Sequence, residues 1–233
     1  MALRTIMAFG TLALLLAGCG ALADTGPRTT QERDVADFTA IALETSGDVV
    51  VELGDTPSLT ITAGERVLDR LTSDVRDGVL VLGVDRPGWG NHGRVDYHVV
   101  VTDLEAVHVR GSGDVDAEAA TSDGLEVVVE GSGDVEIGDV DVDALQVRIE
   151  GSGDVELAGR AARQAVSVAG SGNYRGGGVT SDDATVSIEG SGDVVVDVTG
   201  ALDATVAGSG VVTHTGGAEV EMDVQGSGGV QEG

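Results

Sequence analysis

The stretch Leu145–Leu157 reads LQVRIEGSGDVEL, and its pattern decides the fold. In steps of two, Leu145, Val147, Ile149, Gly151, Gly153, Val155 and Leu157 share one face, while Gln146, Arg148, Glu150, Ser152, Asp154 and Glu156 share the other. Side chains of an extended chain alternate between faces, so a period of two held over thirteen residues specifies a strand with one buried side. The period runs straight through the glycines.

The same words recur. Gly-Ser-Gly returns with its glycine pairs at Gly111 and Gly113, Gly131 and Gly133, Gly151 and Gly153, Gly170 and Gly172, Gly190 and Gly192, Gly208 and Gly210, and Gly226 and Gly228, in steps of 20, 20, 19, 20, 18 and 18 residues. Thr45-Ser46-Gly47-Asp48 is an earlier, degenerate copy. Such a unit is too small to be a domain and has the length of one solenoid coil. Leucine-rich repeats need a Leu/Asn framework that is absent, whereas a parallel β-helix needs only strands and turns. The expected fold is therefore all-β, a single-stranded parallel β-helix of about 18–20 residues per coil. The general preference of crossover connections makes it right-handed. The paired glycines form a structural corner on the inward face, where their conformational freedom and lack of a side chain suit a tight bend.

Residues 106–233 read as the regular coils and 33–105 as irregular N-terminal coils of the same domain. In the latter, GERVLDRLTSDVRDG is a longer excursion and DRPGWGNHGR a turn-rich loop.

Composition narrows the function. Forty acidic residues face 13 basic ones, all of them Arg, for a formal charge of −27. That balance excludes nucleic acid as a partner and electrostatic attachment to anionic lipid. Aromatic residues make up 2% of the chain, yet 41% is hydrophobic and regularly alternating, which is not a disordered composition.

The N-terminus reads as an address. Arg4 is followed by an apolar run, Ile6–Leu16, too short to span a bilayer. Leu16-Ala17-Gly18-Cys19 then resembles the lipobox of bacterial lipoproteins, which implies cleavage after residue 18 and lipidation of Cys19, the one cysteine in the chain. An ordinary signal peptide would leave an unpaired thiol in an exported protein. The expectation is an exported protein anchored through Cys19 to the outside of a bacterial membrane, with acyl chains and not charge as the anchor. Residues 19–32 serve as lipidated Cys and flexible tether.

RDVADFTAIALETSGDVVVELGDTPSLTITAGERVLDRLTSDVRDGVLVLGV, GWGNHGRVDYHVVVTDLEAVHV and the serial GSGDV coils together resemble the bacterial exported domain called the putative auto-transporter adhesin head GIN domain, over roughly residues 33–230. The resemblance implies a β-helical exported protein or lipoprotein with no settled activity. The GSGDV signature is lost at Asn173-Tyr174, Val211 and Gly229.

Three features are candidates for chemistry. Asp114, Asp134, Asp154 and Asp193 form an outward column interrupted at Asn173. Carboxylates one coil apart repel by roughly 1 kcal/mol in water, so something offsets them. Either turn N–H groups and serines donate to each Asp, or the column is a line of metal sites for Ca²⁺. The loop holding Trp89, Asn91, His92 and Arg94 is a possible partner-binding loop for a protein or glycan at the cell surface, although Trp89 would equally cap the rod. The C-terminal coils weaken towards GSGGVQEG, so two chains could stack end to end as a homodimer.

Catalysis is not expected. No Lys is present, His92, His98, His108 and His214 are scattered, and no Ser-His-Asp, His-x-x-x-His or Cys-His arrangement appears. No cofactor is called for. The reading is a lipid-anchored structural or adhesion-like binding module. Alternatives are a divalent-cation-binding envelope sensor, which a metal-dependent melting shift would reveal, and a glycan-active enzyme, which polysaccharide turnover would reveal.

Overall fold

In the computed structural model, residues 25–85 and 93–233 are described. Five long strands, β9 (Val115–Val129), β10 (Val135–Ile149), β11 (Val155–Val168), β12 (Tyr174–Ile188) and β13 (Val194–Gly208), each fill most of one coil. They stack in parallel, and Val135 pairs Val155, Val155 pairs Tyr174, and Tyr174 pairs Val194. The parallel β-solenoid expected from the repeat is the fold.

Each long strand turns midway and serves two sides of the coil. The first half of β9 pairs β3 (Asp48–Leu53) through Val115–Ala117, and its second half pairs β8 (Ala106–Val109) through Glu126–Val129. The unequal repeat lengths are absorbed at these bends. Between β10 and β11 the register shifts between Ile137 and Val140, so the offset of 20 at Val135 and Val155 becomes 19 at Ile149 and Val168.

The first strands are laid out of chain order. β2 (Ala40–Leu43) and β3 form one coil, β6 (Val79–Val84) and β7 (Asp96–Val101) another, and β8 with the start of β9 a third. β2 lies between β6 and β8, and β3 between β7 and β9. The chain thus lays its first coil, passes outside it through β4 (Ser58–Gly64), α1 (Glu65–Leu68) and β5 (Leu71–Arg76), and returns across it. This end is closed by antiparallel strands, β4 on β7 and β5 on β6. The sequence shows no helical spacing here, and α1 is a single turn held by burial of Val67 and Leu68, each contributing roughly 1.5–3 kcal/mol.

One boundary needs correction. Residues 28–32, expected as tether, belong to β1 (Arg28–Arg33), which pairs antiparallel with β4 from Arg28↔Gly64 to Arg33↔Leu59. The polar RTTQER string hid the strand because β1 is an exposed edge that buries almost nothing, so no apolar period marks it.

At the far end, β14 (Val211–Thr215) follows β13. It is succeeded by β15 (Glu219–Gly226), paired with β13, and β16 (Gly229–Glu232), paired with β14.

The core is the inward column of Val, Ile, Leu and Ala, with Phe38, Tyr97 and Tyr174 as its buried aromatics. The corner glycines are required by space and not by backbone angle. Of the glycines in the seven Gly-Ser-Gly copies, only Gly226 has a positive φ, 135°. A methyl group on Gly151 would lie 1.9 Å from the carbonyl oxygen of Gly131, and one on Gly153 would lie 2.0 Å from that of Gly133. The obstacle is the backbone of the preceding coil.

Candidate binding surface

The aspartate column is a hydrogen-bonded ladder along the Gly-Ser-Gly-Asp corner. The N–H of Asp134 donates to Asp114 Oδ1 at 2.9 Å, that of Asp154 to Asp134 Oδ1 at 2.7 Å, and that of Asn173 to Asp154 Oδ1 at 2.8 Å. Asn173 continues the column, accepting the N–H of Asp193 at 3.0 Å, and Asp193 accepts that of Val211 at 2.8 Å. At the other end the Asp114 N–H reaches Asp48 Oδ1 at 3.4 Å.

Backbone geometry explains the arrangement. Past the corner, the N–H of Val135 donates forward to the carbonyl of Asp154, whereas before it the N–H of Ser152 donates backward to that of Gly131. The Asp N–H falls where the ladder changes direction, and the side chain of the preceding coil takes the place of a backbone acceptor. The ladder ends where Val211 has no side-chain acceptor: the N–H of Gly229 turns to the carbonyl of Gly210 at 3.2 Å.

Outside this column runs a second one, with Asp116, Glu136, Glu156 and Arg175 in register. Arg175 donates to Asp154 Oδ2 at 2.8 Å. Partial burial pushes the Asp154 carboxyl up, but hydrogen bonds from the backbone and side chain of Asn173 and from Arg175, with the charge of that guanidinium, hold it below the usual carboxylate range. The candidate ligands Asp114, Asp134, Asp154 and Asp193 are thus strung along the rod one coil apart and do not converge on one point. Among the described residues, no group of three or more His, Cys, Asp or Glu side chains is placed to hold a metal ion.

The remaining charges are also organised in columns. Arg110 bridges Glu130 at 2.6 Å and Glu44 at 3.2 Å. All three residues precede the corner motif, so aligning the repeats column by column would have revealed this bridge, which reading single motifs missed. Arg160 grips Asp141 with two bonds of 2.7 and 2.8 Å. From Gly176 onward the sequence contains ten Asp or Glu residues and no Arg.

Of the expected partner-binding loop, Trp89, Asn91 and His92 lie outside the described residues, as does the lipidation candidate Cys19. Arg94 is described: it donates to Asp96 at 2.7 Å, and Asp96 also accepts from Arg28. Burial raises the Asp96 pKa, but the bonds and charges of Arg94 and Arg28 outweigh this and lower it. The histidines are dispersed: His98 faces Glu52 at 3.1 Å, His108 faces Glu126 at 3.4 Å, and the Nδ1 of His214 is buried without a hydrogen-bond partner.

A groove of about 290 Å³ crosses β10, β11 and β12, where Leu145, Gln146, Arg163, Ala165 and Thr185 line it. Beneath it lies a buried polar chain. Tyr174 Oη donates to Gln164 Oε1 at 3.2 Å, Gln164 Nε2 donates to Ser181 Oγ at 2.7 Å, and Ser181 Oγ donates to the carbonyl of Asp197 at 3.1 Å. Burial pushes the Tyr174 pKa well upward, so its hydroxyl stays protonated as a donor.

The family described as putative auto-transporter adhesin, head GIN domain, matches residues 37–218. The chain belongs to this family. A putative adhesin from Bacteroides fragilis, known from its crystal structure, superposes with a TM-score of 0.82 at 25% identity, covering 88% of this chain and 97% of that one. A putative adhesin from Parabacteroides merdae gives 0.66 at 25% identity, covering 89% and 97%. A crystal structure described as a putative lipid binding protein from Parabacteroides distasonis gives 0.70 at 24% identity, again covering 89% and 97%, and shares the fold. A comparison with curated proteins finds no match. Membership in this GIN domain family matches the resemblance read from the GSGDV coils. No helix among the described residues is long and apolar enough to cross a membrane.

Proposed function

We propose that this GIN domain protein is an exported, lipid-anchored, adhesion-like binding module that acts without catalysis. The observation that carries the reading is the likeness to the Bacteroides fragilis putative adhesin across nearly the whole of both chains. The surface supports it. Its outward side chains are tied into a hydrogen-bonded ladder from Asp48 to Val211, with ion pairs such as Arg110 to Glu44 and Glu130 beside it. A face built this way is a rigid, repetitive display surface suited to contact with another macromolecule. Cys19, after its lipobox-like Leu-Ala-Gly, supplies the attachment.

The test is fractionation with a surface readout. Expressed in a bacterial host with its own N-terminus, the chain should sit in the membrane pellet, be cleaved by protease added to whole cells, and increase binding of those cells to immobilised host-cell or bacterial surfaces. Cys19→Ala should move it to the soluble fraction and abolish the cell binding. Retention of Cys19→Ala in the pellet would defeat the anchor, and no gain in cell binding by the anchored chain would defeat the adhesion reading.

A further inference from the structure

The last coil differs from the rest of the rod. β15 hydrogen-bonds only to β13 among the described strands, so its other edge is unpaired. Its inward-phase residues continue the core column: Val220, Met222 and Val224 are in register with Leu202, Ala204 and Val206. The members on β13 are at most 1% exposed, whereas those on β15 are 38, 61 and 39% exposed. The opposite phase of β15 is acidic at Glu219, Glu221 and Asp223. At its start a pocket of about 280 Å³ is lined by the apolar Leu202 and Val220 together with the acidic Asp203, Glu219 and Glu221. That combination suits a side chain with an aliphatic stem and a cationic head.

We propose that the open edge of β15 is a docking site for an extended partner segment in which apolar residues alternate with Arg or Lys. The segment adds one strand to the solenoid. Its apolar side chains cover Val220, Met222 and Val224, and its basic side chains lie beside Glu219, Glu221 and Asp223. Charge selects this occupant over a second copy of the chain. Antiparallel pairing of two β15 strands centred on Met222 would set Glu221 of each copy opposite Asp223 of the other, and like charges across a strand pair are destabilising.

This site gives the adhesion-like reading a partner class and rests on it. Its test uses neither the membrane anchor nor cell binding, so the two can fail separately. The probe is a fluorescein-labelled octapeptide of alternating arginine and valine, titrated into the Cys19→Ala chain and followed by anisotropy. The expected result is saturable binding, weakened about tenfold by Met222→Arg and by about as much when alternate peptide nitrogens are methylated, a loss of about 1.4 kcal/mol. The paired change Glu219→Arg and Glu221→Arg should transfer binding to a glutamate–valine octapeptide. The methylated peptide needs no variant, so the test survives if Met222→Arg fails to fold. No binding, or binding indifferent to methylation, would mean diffuse attraction to an acidic protein and would overturn the proposal. So would a dimer seen by light scattering that the peptide does not dissociate.

Discussion

The ring of Tyr174 occupies the space that a side chain at residue 176 would need: a methyl group on Gly176 would lie 2.2 Å from Tyr174 Cζ. In the other coils the position of Tyr174 is held by the Val of GSGDV, so the tyrosine and the glycine two residues later form one unit. Gly176→Ala should cost about 1–3 kcal/mol by overpacking, and Tyr174→Val in the same chain should recover part of that loss. Denaturant melts of the single and double variants check the coupling; simple additivity would refute it.

The corner predicts a contrast between two glycines. Gly151→Ala drives a methyl group into the Gly131 carbonyl, whereas at Gly124 the nearest atom, the Ala144 carbonyl oxygen, is 3.4 Å away. The first change should destabilise by about 1–3 kcal/mol or more and the second by no more than about 0.5 kcal/mol. Equal melting temperatures for the two variants would contradict the stacked-corner account.

The aspartate ladder predicts that the acceptor matters more than the charge. Asp134→Ala leaves the Asp154 N–H without the acceptor seen at 2.7 Å, at a cost of about 1–3 kcal/mol. Asp134→Asn should be nearly neutral, because Asn173 already performs the same role. Urea unfolding separates the two, and an Asn variant as damaged as the Ala variant would argue against it.

Asp154 adds a pH dependence. Its carboxyl is depressed in the fold relative to the ordinary aspartate value of about 3.9. A depressed carboxylate stabilises fully above its unfolded pKa and loses that contribution as pH falls through the folded one. The stability gap between the parent and Asp154→Asn should therefore be constant from about pH 8 to 5, begin to shrink below about pH 4, and close as pH falls through the depressed folded value. A gap that does not shrink at all as pH falls below the ordinary aspartate value would rule out the carboxylate as its source.

Salt should stabilise this protein. With a formal charge of −27 and acidic columns one coil apart, repulsion outweighs the exposed ion pairs. Raising ionic strength from about 0.01 to 0.15 M shortens the screening length from about 30 to 8 Å. The melting temperature should rise with NaCl as much as with CaCl₂ of equal ionic strength. A rise specific to CaCl₂ would instead point to cation sites on the column.

The regular part of the fold was legible because Val147, Val166 and Val186 declare both strand and register: one spacing sets the alternation and the coil step together. The corner was legible as a place, but its cause was only half seen. The nearest atoms to an added methyl group belong to the previous coil, and distance between coils leaves no mark within a single motif. Asn173 looked like an interruption because the ladder was read by charge; the amide oxygen is an equally good acceptor. β1 and the non-sequential placing of the β2–β3 coil left no trace, since an exposed edge lacks alternation and pairings such as Val49 with Val115 join residues far apart in the chain.

The doubled-back path at the start of the rod has a consequence for how the molecule comes apart. A simple solenoid can peel from either end, one turn at a time. Here the β2–β3 coil is clasped by β6 and β7 on one side and by β8 and β9 on the other, so the first-made turn cannot leave until later-made ones have gone. Pulled at both termini, or sampled by amide exchange, the molecule should shed the exposed edge strand β1, hold at the clasped β2–β3 coil, and unravel from β16 and β15 inward. The clasped coil acts as a ratchet stop, and the last turns serve as a sacrificial fringe.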